Sequence, residues 1–354
     1  MDNRRNNLIN VIKGVNMFMV LWAHTIQCFS TGAAAFSDIA MYRILQAVAM
    51  PLFAMVSGYL FRYSLQKRSF ADAVTRRTRQ LLQPMVMCGT LVILAFDLPI
   101  KLLHGGIDSL VDFMVYGIGA GAFTKYWFLW CVLSCSIVVA ILWKGIKKPA
   151  HRVPALLLGF FLLPLFPKTE RSIYLYPYFA LGFVFHEYEA PLKTGLEKLR
   201  FIPLIVYPIL CFFYRGEYII DLTGLLGGGT LAESLKIDAV RWLAGLFGSL
   251  FVIVAVRWSY GKFNKGVAEK GFAFFTRLGE KSLQVYCLQT LILERWSSSV
   301  FNKIIQMTGE NFLYIRVLYP LFFTPLLAFA FAAVLLKLIG WLDKKGISRY
   351  LFGR

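Results

Sequence analysis

Residues 8–29 read LINVIKGVNMFMVLWAHTIQCF, an apolar run long enough to cross the hydrocarbon core of a bilayer as one helix. Two residues in it do not belong in a purely structural span. Lys13 and His24 are eleven positions apart, which on a helix puts them within roughly 20° of one another and about 16 Å apart along the axis. One helix face therefore presents a cation near its start and a titratable base near its far end. Ionisable side chains at membrane depth are costly and mark function by default. Each residue alone also has an ordinary explanation, a lysine that snorkels to the interface and a histidine hydrogen-bonded in the packing.

Composition extends this reading to the whole chain. Of the 354 residues, 58% are hydrophobic and only 16% charged, outside the range of a soluble globular protein. A polytopic membrane helix bundle, all-α, is the expected fold class. The formal charge of +19 would also suit a nucleic-acid binder, but the basic residues lie in short segments between apolar runs, where membrane orientation accounts for them. No nucleic-acid partner is expected; membrane lipid is.

Taken in order, the apolar runs predict about ten transmembrane helices, over 8–29, 39–61, 81–103, 126–143, 153–167, 172–186, 201–214, 239–256, 282–300 and 314–341. The fifth, sixth and seventh are short for a full crossing and are open to a tilted, interfacial or re-entrant reading. Loop charge tests the count independently. With the amino terminus in the cytoplasm, 26 of the 38 Lys and Arg fall on inner segments and eleven on outer segments or outer helix ends, so every loop obeys the positive-inside rule. Both termini are then cytoplasmic. There is no internal repeat and no linker rich in Pro, Gly or Ser, so residues 1–354 read as a single transmembrane domain without a separate soluble one.

Several local features have bland readings. Arg4 and Arg5 ahead of an apolar run, with Ala33, Ala34 and Ala35 beyond it, resemble a signal peptide, but Lys13 and His24 inside the apolar stretch argue against cleavage. Gly227-Gly228-Gly229, in the external segment 215–238, lacks a following Lys-Ser or Lys-Thr and is no phosphate loop. The six cysteines, Cys28, Cys88, Cys131, Cys135, Cys211 and Cys287, lie inside or at the edge of apolar runs and read as small buried hydrophobes. Cys131 and Cys135 share a helix face without a companion His or carboxylate, and no metal is expected. Cys28, one turn beyond His24, leaves a Cys–His acyl-enzyme geometrically conceivable. His104, His151 and His186 lie near predicted span ends.

At five places the chain resembles the acyltransferase 3 family of integral membrane acyltransferases. Ile12-Lys13-Gly14 followed by Val20-Leu21-Trp22-Ala23-His24 is similar to the family's first-helix signature. Met50-Pro51-Leu52-Phe53, running on to Ser57-Gly58-Tyr59-Leu60, resembles its second helix. Arg76 and Arg79 match its R-x-x-R pattern. Trp127-Phe128-Leu129 resembles its fourth-span motif, and Leu278-Gly279-Glu280-Lys281-Ser282-Leu283 with Tyr286 its late Leu-Gly-x-x-Ser-Leu-x-x-Tyr element. The similarity covers about residues 8–340. Asn10 stands where the family often has Asp, Lys13 where many members have Arg, and Gln289 where a late His is common.

The resemblance implies an O-acyltransferase that moves an acyl group, usually acetyl, from cytoplasmic acyl-CoA to a hydroxyl of a cell-surface or periplasmic glycan or glycolipid, in a bacterial inner membrane. Surface polysaccharide, exopolysaccharide included, is the first expectation for the acceptor. The residues suit that chemistry. A sugar hydroxyl needs a base, and a histidine with a pKa near about 6.5 can supply one. His24 is therefore expected to be the general base, with Lys13 an electrostatic contact that binds or orients the donor. Arg76 and Arg79 would pair with the phosphates of acetyl-CoA, for which guanidinium groups are suited. Ser57 and the Tyr126–Trp127 pair are candidates to polarise the thioester or line its channel. The rival class is a transporter or flippase for a glycan or lipid-linked substrate, with Lys13 and His24 as a proton relay. It would more often show two related halves, which this chain lacks.

Overall fold

The computed structural model describes residues 3–29, 39–99, 122–189, 197, 200–214, 231–263, 267–293 and 314–353. The described residues are helical, without a strand. The helices are α1 (Asn3–Phe29), α2 (Ala40–Lys67), α3 (Phe70–Val92), α4 (Trp127–Gly145), α5 (Pro149–Leu158), α6 (Glu170–Glu187), α7 (Ile202–Phe213), α8 (Leu231–Phe263), α9 (Val267–Glu280), α10 (Ser282–Leu293), α11 (Thr324–Lys344) and α12 (Ile347–Phe352). All ten predicted apolar runs fall on helices where they are described. Among the described residues, five helical stretches are long and apolar enough to cross a membrane: Arg5–Gln27, Ala40–Lys67, Trp127–Gly145, Ser234–Phe263 and Val317–Lys344.

The other five runs differ for identifiable reasons. α3 starts at Phe70, where Ser69 caps it by accepting a hydrogen bond from the Asp72 amide at 3.2 Å. A predicted inner loop is thus a helix that carries its arginines toward the apolar run, and the helix widens into a π turn at Ile93–Asp97. The fifth run is broken by proline: α5 holds Pro154 and passes into a tighter 3-10 segment, Gly159–Leu165, around Pro164. The 18 residues of α6 include Glu170, Arg171 and Glu187. α7 has only 12 residues, too few for an upright crossing. For α10 the run continues into 294–300, outside the described residues, as do 100–103 of the third run and most of the external segment 215–238. Within that segment the structure gives helix from Leu231 onward, eight residues before the predicted start of the span at 239.

Glycines let the central helices meet backbone to backbone. A Cβ on Gly14 of α1 would lie 1.8 Å from the Phe275 carbonyl oxygen of α9, and one on Gly279 would lie 1.8 Å from the Asn10 carbonyl oxygen. α2 and α6 pack the same way, with Gly58 against Phe179 and Gly182 against Met55. Small residues at such crossings are what close helix packing in membranes requires, since apolar side chains gain little from leaving lipid for protein. α2 and α6 run parallel: Pro51 and the Tyr178 hydroxyl both flank Gly245 at one end, and Arg62 pairs with Glu187 at the other. Buried polar contacts fix the remaining neighbours. Asn16 Nδ2 donates to the Ala49 carbonyl at 2.8 Å and Gln27 Nε2 to the Tyr42 hydroxyl at 2.8 Å, which sets α1 antiparallel to α2. Trp22 Nε1 donates to the Pro320 carbonyl and to Thr324 Oγ1, both at 2.9 Å, tying α1 to the start of α11.

Candidate functional site

A cavity of about 430 Å³ lies between α1, α2, α3, α4 and α10. Along α2 its wall runs from Arg68 back to Met50, about 27 Å at helical rise, so the cavity is long and narrow, not a chamber. The basic groups enter from Arg68, from Arg76 and Arg77 on α3, and from Lys13 on α1. The Met50 end is aromatic: Phe53 and Phe128 have ring centroids 6.0 Å apart, and Phe128 and Tyr286 are also 6.0 Å apart. Between them lie Ser57, Ser64, Gln80 and Ser282. The arginines gather at one end, whereas Lys13, three residues before the Asn16 that meets Ala49 of antiparallel α2, lies level with Phe53 among the rings; such a cavity fits an elongated ligand with an anionic head and a thin, less polar arm.

Lys13, Ser57 and Arg76 are thus brought together on one cavity, although they come from three separate helices. Arg77 joins them and was not among the predicted residues. Its guanidinium donates to Ser57 Oγ and, through Nε, to Ser136 Oγ at 3.3 Å, and it sits 5.8 Å from the centroid of the Phe61 ring. Burial lowers the Arg77 pKa to about 10, so the group remains cationic at neutral pH. The R-x-x-R pattern selects positions 76 and 79, but on α3 the cavity face comprises Ala73, Arg76, Arg77, Gln80 and Leu81. Alternation of small, polar and apolar residues at helical spacing around Arg77 was the available signal.

The other predicted residues lie off the cavity lining. Arg79 is exposed and donates from Nε to Gln83 Oε1 at 3.4 Å; Gln83 in turn donates to the Tyr350 carbonyl of α12 at 2.7 Å. This side of α3 therefore holds the carboxy-terminal helix. Tyr126 is fully buried and its hydroxyl donates to the Cys287 carbonyl at 3.3 Å, which steadies α10 just behind Tyr286. Trp127 is partly buried and carries the Arg171 guanidinium 4.7 Å over its ring. His24 is partly buried and hydrogen-bonded to Gln27, about three turns of α1 beyond Lys13. The side chain of Cys28, residues 33–35 and His104 are outside the described residues. Among the described residues, no three His, Cys, Asp or Glu side chains gather where they could hold a metal ion.

These features define a helical membrane protein with a basic, elongated ligand cavity reached by its first helix. The chain belongs to the acyltransferase family whose model, described as "Acyltransferase domain", matches residues 6–340. It is similar to nodulation protein NolL of Mesorhizobium japonicum, 28% identical over 220 residues that make up 61% of this chain and 58% of that protein. It is likewise similar to nodulation protein NolL of Sinorhizobium fredii, 27% identical over 218 residues, 60% of this chain and 57% of that one. The aligned part is thus less than two thirds of the length of these relatives. No solved structure matches the chain.

Proposed function

We propose that the chain is a membrane O-acyltransferase that moves an acetyl group from acetyl-CoA on the cytoplasmic side to a hydroxyl of a cell-surface or periplasmic glycan. The cavity carries this reading. Arg68, Arg76 and Arg77 suit the phosphates of the coenzyme, and the narrow passage toward Phe53, Phe128 and Tyr286, with Lys13 level with Phe53, suits its pantetheine arm. Membership of the acyltransferase family supplies the reaction class. The topology that goes with it is ten spans with both termini in the cytoplasm of a bacterial inner membrane. The parallel course of α2 and α6 supports that count, because the second and sixth of ten alternating spans must cross in the same direction.

His24 then acts as general base. It takes the proton of the acceptor hydroxyl while the hydroxyl oxygen attacks the thioester carbonyl carbon. The carbon–sulfur bond breaks and CoA leaves as a thiolate, a leaving group with a pKa near that of cysteine, about 8.5, that needs little acid assistance. The base stands beyond the aromatic end of the cavity, about 16 Å along α1 from Lys13. The coenzyme's head therefore remains among the arginines while its thioester reaches outward. Lys13 has no planar fork for a bidentate contact and acts as a point charge on the donor.

The test is release of free CoA from acetyl-CoA by the purified protein in lipid, with and without host glycan extract. Glycan-dependent release is expected. A folded protein that releases none, with any acyl-CoA, overturns the proposal and moves the transporter reading to first place. Within the cavity, Arg77→Lys is expected to raise the KM for acetyl-CoA about tenfold, as loss of charge-assisted hydrogen bonds does. Arg79→Lys, on the α12 side of the helix, is expected to leave that KM within about twofold, since exposed polar contacts of this kind contribute little. Initial rates against acetyl-CoA concentration check both.

A further inference from the structure

Gln289 is 1% exposed, and neither its Nε2 nor its Oε1 has a hydrogen-bond partner among the described residues. Burying both ends of a carboxamide without partners is unfavourable, and buried polar groups in native proteins are nearly always satisfied. Its place on α10 suggests what satisfies it. Ser282 and Tyr286 of the same helix line the cavity, and Gln289 lies seven residues past Ser282, within roughly 20° of it around the axis and about 10 Å further along. It thus continues the cavity face one turn beyond Tyr286.

The contacts of neighbouring helices show which way that is. Gly279, just before α10, meets Asn10 and Gly14 of α1. Tyr286 stands against Phe128, at the start of α4, while Ser136 further down α4 meets Arg77 at the basic part of the cavity. From Ser282 to Gln289, α10 therefore climbs away from the arginines, in the sense in which α1 climbs from Lys13 to His24. Gln289, ten residues past Gly279, lies beyond the cavity at about the depth of His24, ten residues past Gly14.

We infer that the Gln289 carboxamide binds the acyl thioester, its Nε2–H donating to the carbonyl oxygen. This inference rests on the acyl-transfer reading above and adds the group that reaction still lacks. As the acceptor oxygen adds and the carbonyl carbon becomes tetrahedral, negative charge gathers on that oxygen. A donor already in place, at a water-poor depth, stabilises it. The amide gives no proton away; the acceptor's proton goes to His24 and the electron pair of the carbon–sulfur bond leaves with CoA.

The test compares wild type with Gln289→Met, which keeps length and volume and removes both polar atoms, in the acetyl-CoA assay in lipid. Activity is normalised to correctly inserted protein, with thermal stability measured alongside. The expected result is a fall of about 10²-fold in kcat for glycan-dependent CoA release, with the KM for acetyl-CoA retained within threefold and a melting temperature unchanged or raised. A variant that keeps kcat within threefold, or whose loss of rate comes with a lowered melting temperature, overturns the inference and leaves Gln289 a packing residue. A wild type that itself releases no CoA overturns the acyl-transfer reading instead, so the two failures are distinct.

Discussion

Replacing His24 with alanine is expected to lower glycan-dependent CoA release by about 10²- to 10⁴-fold, the range associated with loss of a general base. Insertion and thermal stability should be nearly unaffected. The reason lies in where the side chain sits: it is partly buried, with Gln27 as its hydrogen-bond partner, and Gln27 remains held by Tyr42 when the imidazole is gone. The KM for acetyl-CoA should change little, because the basic cavity groups are about three helical turns away. Rates for wild type and variant at saturating donor, with melting curves for each in the same lipid, check the expectation. A His24→Ala protein that keeps its rate would remove the histidine from the chemistry and leave the cavity assignment standing.

The second large effect concerns packing. Gly14→Ala is expected to destabilise the bundle by about 3 kcal/mol or more, at the upper end of what overpacking costs, because the new methyl has nowhere to go. It would lie 1.8 Å from the Phe275 carbonyl oxygen and 2.6 Å from its carbon, both backbone atoms. α1 and α9 must separate. Lys13 adjoins that crossing and Ser282 follows it, so the cavity wall opens and activity falls with stability. Gly271→Ala provides the control, since nothing lies within 4 Å of a Cβ there and alanine is the better helix former by up to about 1 kcal/mol. Melting temperature in lipid, read for both variants, decides the matter; equal shifts would mean the crossing tolerates a methyl.

Hydropathy made the helical character and the apolar, membrane-suited runs legible, and residues 8–29 were legible as one long helix, because each depends on one short stretch of chain. What lay beyond reach depended on how helices face one another. Arg77 is the clearest case. A linear R-x-x-R pattern names positions 76 and 79, whereas the capped start of α3 at Ser69 fixes a rotation that sets 76 and 77 on the cavity, 76 at its exposed rim, and 79 toward α12. The short runs were legible as short, yet the split of the fifth around Pro154 and Pro164 and the early start of α8 at Leu231 were not. Tyr126 and Trp127 read from sequence as candidates to polarise a thioester or line its channel. Their contacts with Cys287 and Arg171 come from distant parts of the chain and give them supporting places.

The crossing of Gly14 with Gly279 also has a consequence for biosynthesis. The residues that meet there are separated by about 265 positions, so most of the chain leaves the ribosome before the first helix can find its partner. Until then α2, the next helix to emerge, is the neighbour that meets α1 at Asn16 and Gln27. The nascent protein must keep the Gly14 face of α1 open through the emergence of every intervening segment, which makes its first helix the oldest part of the bundle and one of the last to be completed.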